Sequence, residues 1–204
     1  MRIAILAVQG AFAEHRAKLE SLGAGCVEIR KKGDLNGEFD GLVLPGGEST
    51  VQGKLLRELE LFQPIKEKIE DGIPVMGTCA GLILLAEKIS NEGSPCFGTL
   101  PVTVKRNAYG RQLGSFHTEA DFKGAGTVPM TFIRAPYIEK AGEGAEVLAE
   151  VEGHIVAVRF GRQFGLAFHP ELEADSRIHE MFLAECMVVA GNGVKESKKS
   201  DFFK

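Results

Sequence analysis

The sequence contains no tryptophan and only 2 tyrosines. It has no apolar run near the roughly 18 residues that a membrane-spanning helix requires, so no membrane span is expected. Its net charge is -4, and it shows no strongly basic face. Nucleic-acid binding, which draws its affinity from neutralised phosphates, is therefore not expected. The short run Lys195, Lys198 and Lys199 reads as a solvated tail. The 4 cysteines form no CxxC pair, which argues against a zinc ribbon or a thioredoxin-like centre. No signal-like leader precedes the first strand-like run, so a reducing, cytoplasmic location is expected. A phosphate-binding G-x-x-x-x-G-K-[ST] loop and a dinucleotide G-x-G-x-x-G fingerprint are also missing.

What is present suits a globular domain. Of 204 residues, 44% are apolar and 25% charged, which excludes general disorder. The 13 phenylalanines supply the bulk that tryptophan does not. The composition stands out in glycine, with 25 residues. These carry no G-X-Y period, so they serve turns and close approaches rather than a collagen-like helix.

Apolar periodicity predicts strands at 2–8, 26–30, 41–45 and 73–76, with helices at 12–22, 51–71 (broken near Pro64) and 80–88. Strands alternating with helices imply a mainly parallel sheet covered on both faces. From residue 95 short segments at 99–104, 112–117, 129–134, 145–152 and 154–160 read as antiparallel additions. A strand at 164–168 and a helix at 175–190 close the chain. The expectation is one α/β domain over 1–190, a three-layer sandwich, followed by a flexible tail at 191–204.

Gly77-Thr78-Cys79-Ala80-Gly81 sits between a predicted strand and an apolar helix. This is a nucleophile elbow with cysteine in the place of serine. The turn strains the central residue, and side chains at 77 and 81 would collide with neighbouring backbone. The thiol stands at a helix N-terminus, where the dipole favours thiolate. Cys26, Cys96 and Cys186 have no such context and read as structural. In Phe168-His169-Pro170-Glu171, His169 can act as base and Glu171 can orient it. Gly46-Gly47 ends the third strand, where backbone N–H groups can converge on an oxyanion; Gly47 and Ala80 are the expected pair. Arg106 and Arg134 lie in punctuated loops, and either can clamp a carboxylate. His15, His154 and His179 read as structural, and His117 as ambiguous.

The set GGES, GTCAG and FHPEL resembles class I glutamine amidotransferases of the triad type. Arg106-Asn107-Ala108-Tyr109-Gly110-Arg111-Gln112, Ser115-Phe116 and Phe132-Ile133-Arg134-Ala135-Pro136 narrow the resemblance to the glutaminase subunits of two-part pyridoxal 5'-phosphate synthases. Leu6-Ala7-Val8-Gln9-Gly10 and Glu14-His15 also fit. The resemblance implies a flavodoxin-like α/β fold and hydrolysis of L-glutamine to L-glutamate and ammonia. It implies Cys79 as nucleophile, with His169 and Glu171 completing a triad. It implies substrate contacts at Gly47, Glu48, Ser49, Arg106, Ile133 and Arg134. The implied partner is a (β/α)8-barrel synthase subunit in a large hetero-oligomer, with no cofactor or metal in this subunit. Val51 departs from the threonine of many members, and the segment beyond about 190 matches no part of the pattern.

Three rivals have their own discriminants. Another cysteine hydrolase or redox protein would not need His169 and Glu171. A regulatory shell would not need all three groups. A glutaminase for a different synthase would lack the segments at 106–112 and 132–136; that distinction rests on the resemblance.

Overall fold

A computed structural model describes residues 1–91, 93–107 and 114–200, with side chains described as far as 188. The chain opens with β1 (Arg2–Leu6), α1 (Phe12–Ser21), β2 (Gly25–Ile29), β3 (Gly41–Leu44), α2 (Ser49–Glu58), α3 (Phe62–Glu70), β4 (Val75–Thr78) and α4 (Ala80–Leu85). There follow β5 (Ala86–Ile89), β6 (Leu100–Lys105), β7 (Ser115–Phe122), β8 (Gly126–Ile133), β9 (Tyr137–Ala141), β10 (Glu146–Val151), β11 (His154–Phe160), β12 (Gln163–Leu166) and α5 (Arg177–Ser200).

The main sheet runs β2-β1-β3-β4-β12-β11-β9-β6-β5, with β10 on β11. Strands β2, β1, β3, β4 and β12 are mutually parallel, whereas β11 and β9 bring antiparallel pairings. Ile3, Ala4, Ile5 and Leu6 are all buried, as a parallel strand covered on both faces demands. The alternation of side chains identifies the layers. On β4, Gly77 abuts α4, whereas Thr78 bonds to His15 of α1. On β12, Gly165 faces Leu82 of α4, whereas Phe164 meets Phe182 of α5 edge-on. Helices α1 and α5 thus cover one face and α4 the other.

The structure departs from the sequence reading at several points. The break in the long helical region falls at Glu60, whose φ is 55°, rather than at Pro64. Pro64 lies in the first turn of α3, where its missing N–H has no intrahelical bond to lose. The helix expected over 80–88 stops at Leu85, because 86–89 pairs with β6 as a strand. Strand β9 escapes the pattern because Ile138 is its one buried residue; pairing with β6 and β11 holds it. Helix α5 continues to Ser200, through Gly191 and Gly193. Residues 201–204 of the expected tail, and 112–113 of the strand expected at 112–117, lie outside the described residues, as does Gly110.

Register positions the site. Leu44 pairs with Gly77, and Thr78 with Leu166, so the carboxyl ends of β3, β4 and β12 lie side by side. Gly46-Gly47, Cys79 and His169 follow these strand ends within three residues and therefore converge at the carboxyl end of the sheet.

Candidate active site

Cys79 links β4 directly to α4 with φ 48° and ψ -98°, a left-handed conformation that is unusual for a non-glycine residue. Its N–H is held by the Leu166 carbonyl at 2.7 Å. The flanking glycines are required by space. A Cβ on Gly81 would lie 1.9 Å from the Leu44 carbonyl oxygen, and one on Gly77 would lie 2.8 Å from the Gly81 backbone. Cys79 is 7% exposed, and its sulfur stands 4.0 Å from the Ile133 carbonyl oxygen.

His169 follows β12, and its N–H donates to the Thr131 carbonyl at 2.8 Å. Its Nδ1 donates to Glu171 Oε1 at 2.7 Å, and the ring also bonds to the Cys79 side chain. Burial alone would lower its pKa, but the bonds to Cys79 and Glu171 and their negative charge outweigh that and raise it to about 10. Glu171 is buried, which would raise its pKa. The facing His15 and the His169 bond prevail and leave it below its ordinary value.

A pH dependence of stability follows. A histidine raised from 6.5 to about 10 on folding stabilises the native state fully below pH 6.5 and loses that contribution as pH rises toward 10. Half-buried Cys26 and buried Cys186 are pushed up to about 11 and about 12, from an ordinary 9.0, so they affect stability only above pH 9. Between pH 6.5 and 9, Tm of the wild type is expected to fall more than that of His169→Asn. Equal slopes in the two thermal series would refute the coupling of His169 to its neighbours.

A cavity of about 400 Å³ opens over Cys79. Gly47, Glu48, Ser49, Arg106, Ile133 and Arg134, all singled out in the sequence, line it together with Cys79 and His169. Gly46 shows why this loop is glycine: a Cβ there would sit 2.3 Å from the His169 ring. The Gly46 carbonyl accepts from the Ala11 N–H at 2.9 Å. In a trans peptide, the following Gly47 N–H therefore points away from Ala11. Ala80 begins α4, where its N–H has no intrahelical partner. The Glu48 carboxylate accepts from the N–H groups of Thr50 and Val51 and so caps α2. It also pairs with Arg106 at 3.3 Å, and Arg106 donates to Thr50 Oγ1 at 3.1 Å. Positive φ at Asn107 and Arg134, of 49° and 42°, shapes two further corners of the cavity.

The structure separates the remaining candidates. Cys26 and Cys96 are half-buried, Cys186 is fully buried, and burial pushes all three thiols up. His154 stacks on Tyr137 with ring centres 4.2 Å apart. His117 is exposed, against Thr131 and Glu173. His15 and His179, read as structural, lie directly behind Glu171 and are fully buried. No periodicity marks that convergence, because it joins α1, α5 and the turn after β12. Among the described residues no group of three or more His, Cys, Asp or Glu is arranged to hold a metal ion, and no helix is long and apolar enough to cross a membrane.

Comparison with known proteins gives this geometry a family. The model of the SNO glutamine amidotransferase family matches residues 5–188. The chain belongs to that family. A pyridoxal 5'-phosphate synthase subunit PdxT from Desulfitobacterium hafniense (strain Y51) is 63% identical over 183 residues, 90% of this chain and 92% of that protein. A Streptococcus pneumoniae protein of the same name (strain ATCC 700669 / Spain 23F-1) is 52% identical over 189 residues, covering 91% and 98%. A crystal structure of a glutamine amidotransferase superposes with a TM-score of 0.85 at 42% identity, covering 90% of this chain and 98% of its own. The flavodoxin-like α/β architecture expected from the sequence, with a mixed sheet and surrounding helices, is thus the architecture of this glutamine amidotransferase family.

Proposed function

We propose that this chain is a glutaminase that hydrolyses L-glutamine through a glutamyl thioester on Cys79 and passes the ammonia to a synthase subunit making pyridoxal 5'-phosphate. The observation that carries this reading is the register of β3, β4 and β12, which gathers a strained cysteine, a histidine–carboxylate pair and a glycine loop around one cavity. The names of the PdxT relatives, at 63% and 52% identity, support the biosynthetic role.

Glutamine lies with its amide over Cys79 and its α-carboxylate toward Arg106 and Arg134; the backbone and side chains of Gly47, Glu48, Ser49 and Ile133 complete the pocket. The sulfur attacks the amide carbon, and the N–H groups of Gly47 and Ala80 hold the oxyanion. As the C–N bond breaks, His169 gives its proton to the departing ammonia. Water then attacks the thioester, its proton passes to His169, and glutamate leaves the regenerated cysteine. Glu171 holds the imidazole in register throughout. The partner that receives the ammonia is a (β/α)8-barrel synthase subunit in a hetero-oligomer.

Glutamate release, measured with and without a pyridoxal 5'-phosphate synthase barrel subunit, tests the reading. Hydrolysis is expected, and the barrel subunit is expected to stimulate it. Arg106→Ala is expected to raise KM for glutamine about 10–100-fold with little change in kcat, because a carboxylate clamp binds ground and transition states alike. Absence of glutamine hydrolysis in both conditions would reject the proposal.

A further inference from the structure

Behind the proposed triad lies a buried polar chain that the reaction as written does not use. Glu171 Oε1 is occupied by His169, while Glu171 Oε2 is buried and has no hydrogen-bond partner. It faces His15 Nε2 at 3.3 Å. The same nitrogen lies 3.0 Å from Thr78 Oγ1, which accepts from the Gly46 N–H at 3.0 Å. On its far side His15 Nδ1 meets His179 Nε2 at 3.1 Å, and His179 Nδ1 is buried without a partner.

The proton positions follow from what each atom can do. A lone pair on His15 Nε2 would face the Glu171 carboxylate 3.3 Å away, so the proton sits on that nitrogen, where Thr78 Oγ1 accepts it at 3.0 Å. In a neutral ring His15 Nδ1 is then an acceptor, and His179 Nε2 must donate to it. This leaves His179 Nδ1 as a bare lone pair, which agrees with its lack of a partner. The reverse arrangement would set a lone pair against the carboxylate and bury an orphaned N–H on His179, at a cost of about 1–3 kcal/mol for the unsatisfied donor. Burial lowers the pKa of His15, against the raising effect of Glu171, and lowers that of His179 to about 3, so both rings are neutral. The other charged groups acting on the pair are His169 and Glu14 on His15, and Lys18 on His179.

We propose that His15 is a positioning residue for the reaction: His179 holds its proton on Nε2, from which it steadies the Glu171 carboxylate electrostatically and, through Thr78, anchors the Gly46 end of the oxyanion loop. One ring thereby couples the general base to the oxyanion site. The inference rests on the triad reading above.

The test measures kcat, KM and the pH profile of glutamine hydrolysis, in complex with the synthase subunit, for His15→Ala, His15→Gln, His179→Ala and the double alanine variant. Cys79→Ala is assayed alongside. His15→Ala is expected to lower kcat about 10–100-fold, the usual effect of losing a partner that orients an active group, with KM within about twofold. The alkaline limb of kcat/KM should move to lower pH, because a loosened Glu171 holds the His169 proton less firmly. His15→Gln, whose side-chain amide can reproduce the Nε2 donor, should recover most of kcat. His179→Ala should lose less, and the double variant should be no worse than His15→Ala, as two members of one chain require. If His15→Ala does not fold, the Gln variant and His179→Ala carry the same comparison. An inactive Cys79→Ala beside a His15→Ala of unchanged kcat would overturn this inference and leave the triad standing. So would equal losses in the Ala and Gln variants with an unmoved alkaline limb. An active Cys79→Ala would instead overturn the triad reading itself.

Discussion

Cys79→Ala is expected to reduce glutamine hydrolysis by at least about 10⁴-fold while leaving the fold intact, since loss of a covalent nucleophile removes the intermediate rather than slowing one step. The side chain is small and is anchored mainly through the backbone: its N–H is held by Leu166, and its sulfur meets the His169 ring and, at 4.0 Å, the Ile133 carbonyl. Alanine keeps the Cβ, so the elbow and its helix should persist. Glutamine affinity, measured calorimetrically in the presence of the synthase subunit, should survive because the arginines and the glycine loop are untouched. Circular dichroism would verify the fold, and a glutamate assay would verify the loss. Residual hydrolysis within about tenfold of wild type would exclude Cys79 as nucleophile.

The second large effect concerns a residue with no side chain. Gly81→Ala places a Cβ 1.9 Å from the Leu44 carbonyl oxygen and 2.7 Å from its carbon. Both atoms belong to β3, so no side-chain rotation relieves the clash. Either α4 lifts from the sheet or β3 shifts, at about 3 kcal/mol or more for overpacking that moves backbone. For a domain of this size that is a fall in Tm of roughly 6–12 °C. Activity should fall as well, because β3 leads into Gly46 and Gly47 and α4 begins at Ala80. Gly53→Ala in α2 is the matched control. Its Cβ would meet Arg57 at an ordinary 3.5 Å, so the usual gain of roughly 0.5–1 kcal/mol for Ala over Gly inside a helix should appear. Scanning calorimetry on both variants decides the matter: equal Tm values would mean that the approach of α4 to β3 is not tight.

Much of this site is legible in the chain because its chemistry is local. Gly77 and Gly81 flank Cys79, Gly46 and Gly47 stand together, and His169 and Glu171 are two residues apart; each cluster has a backbone reason that acts within a few residues. The parallel strands are legible for a similar reason, since burial on both faces writes a continuous apolar run such as Ile3-Ala4-Ile5-Leu6. Strand β9 is not, because a segment with one buried side chain carries no period, although it is paired on both sides.

Cysteine at the elbow, the histidine–glutamate pair and the glycine loop were determined by sequence alone, as residue types at short spacing. Their meeting was decided by tertiary structure. The register of β3, β4 and β12 brings together at one end of the sheet three segments that span residues 46 to 169 of the chain. The packing of α1 and α5 on the far face then buries His15 and His179 behind Glu171. Hydrogen bonds between helices separated by 164 positions leave no trace in hydrophobic period, because both rings are buried polar groups on otherwise ordinary helices. Even the glycine in Gly81 has its full reason only in the fold, where the Leu44 carbonyl occupies the space a side chain would need.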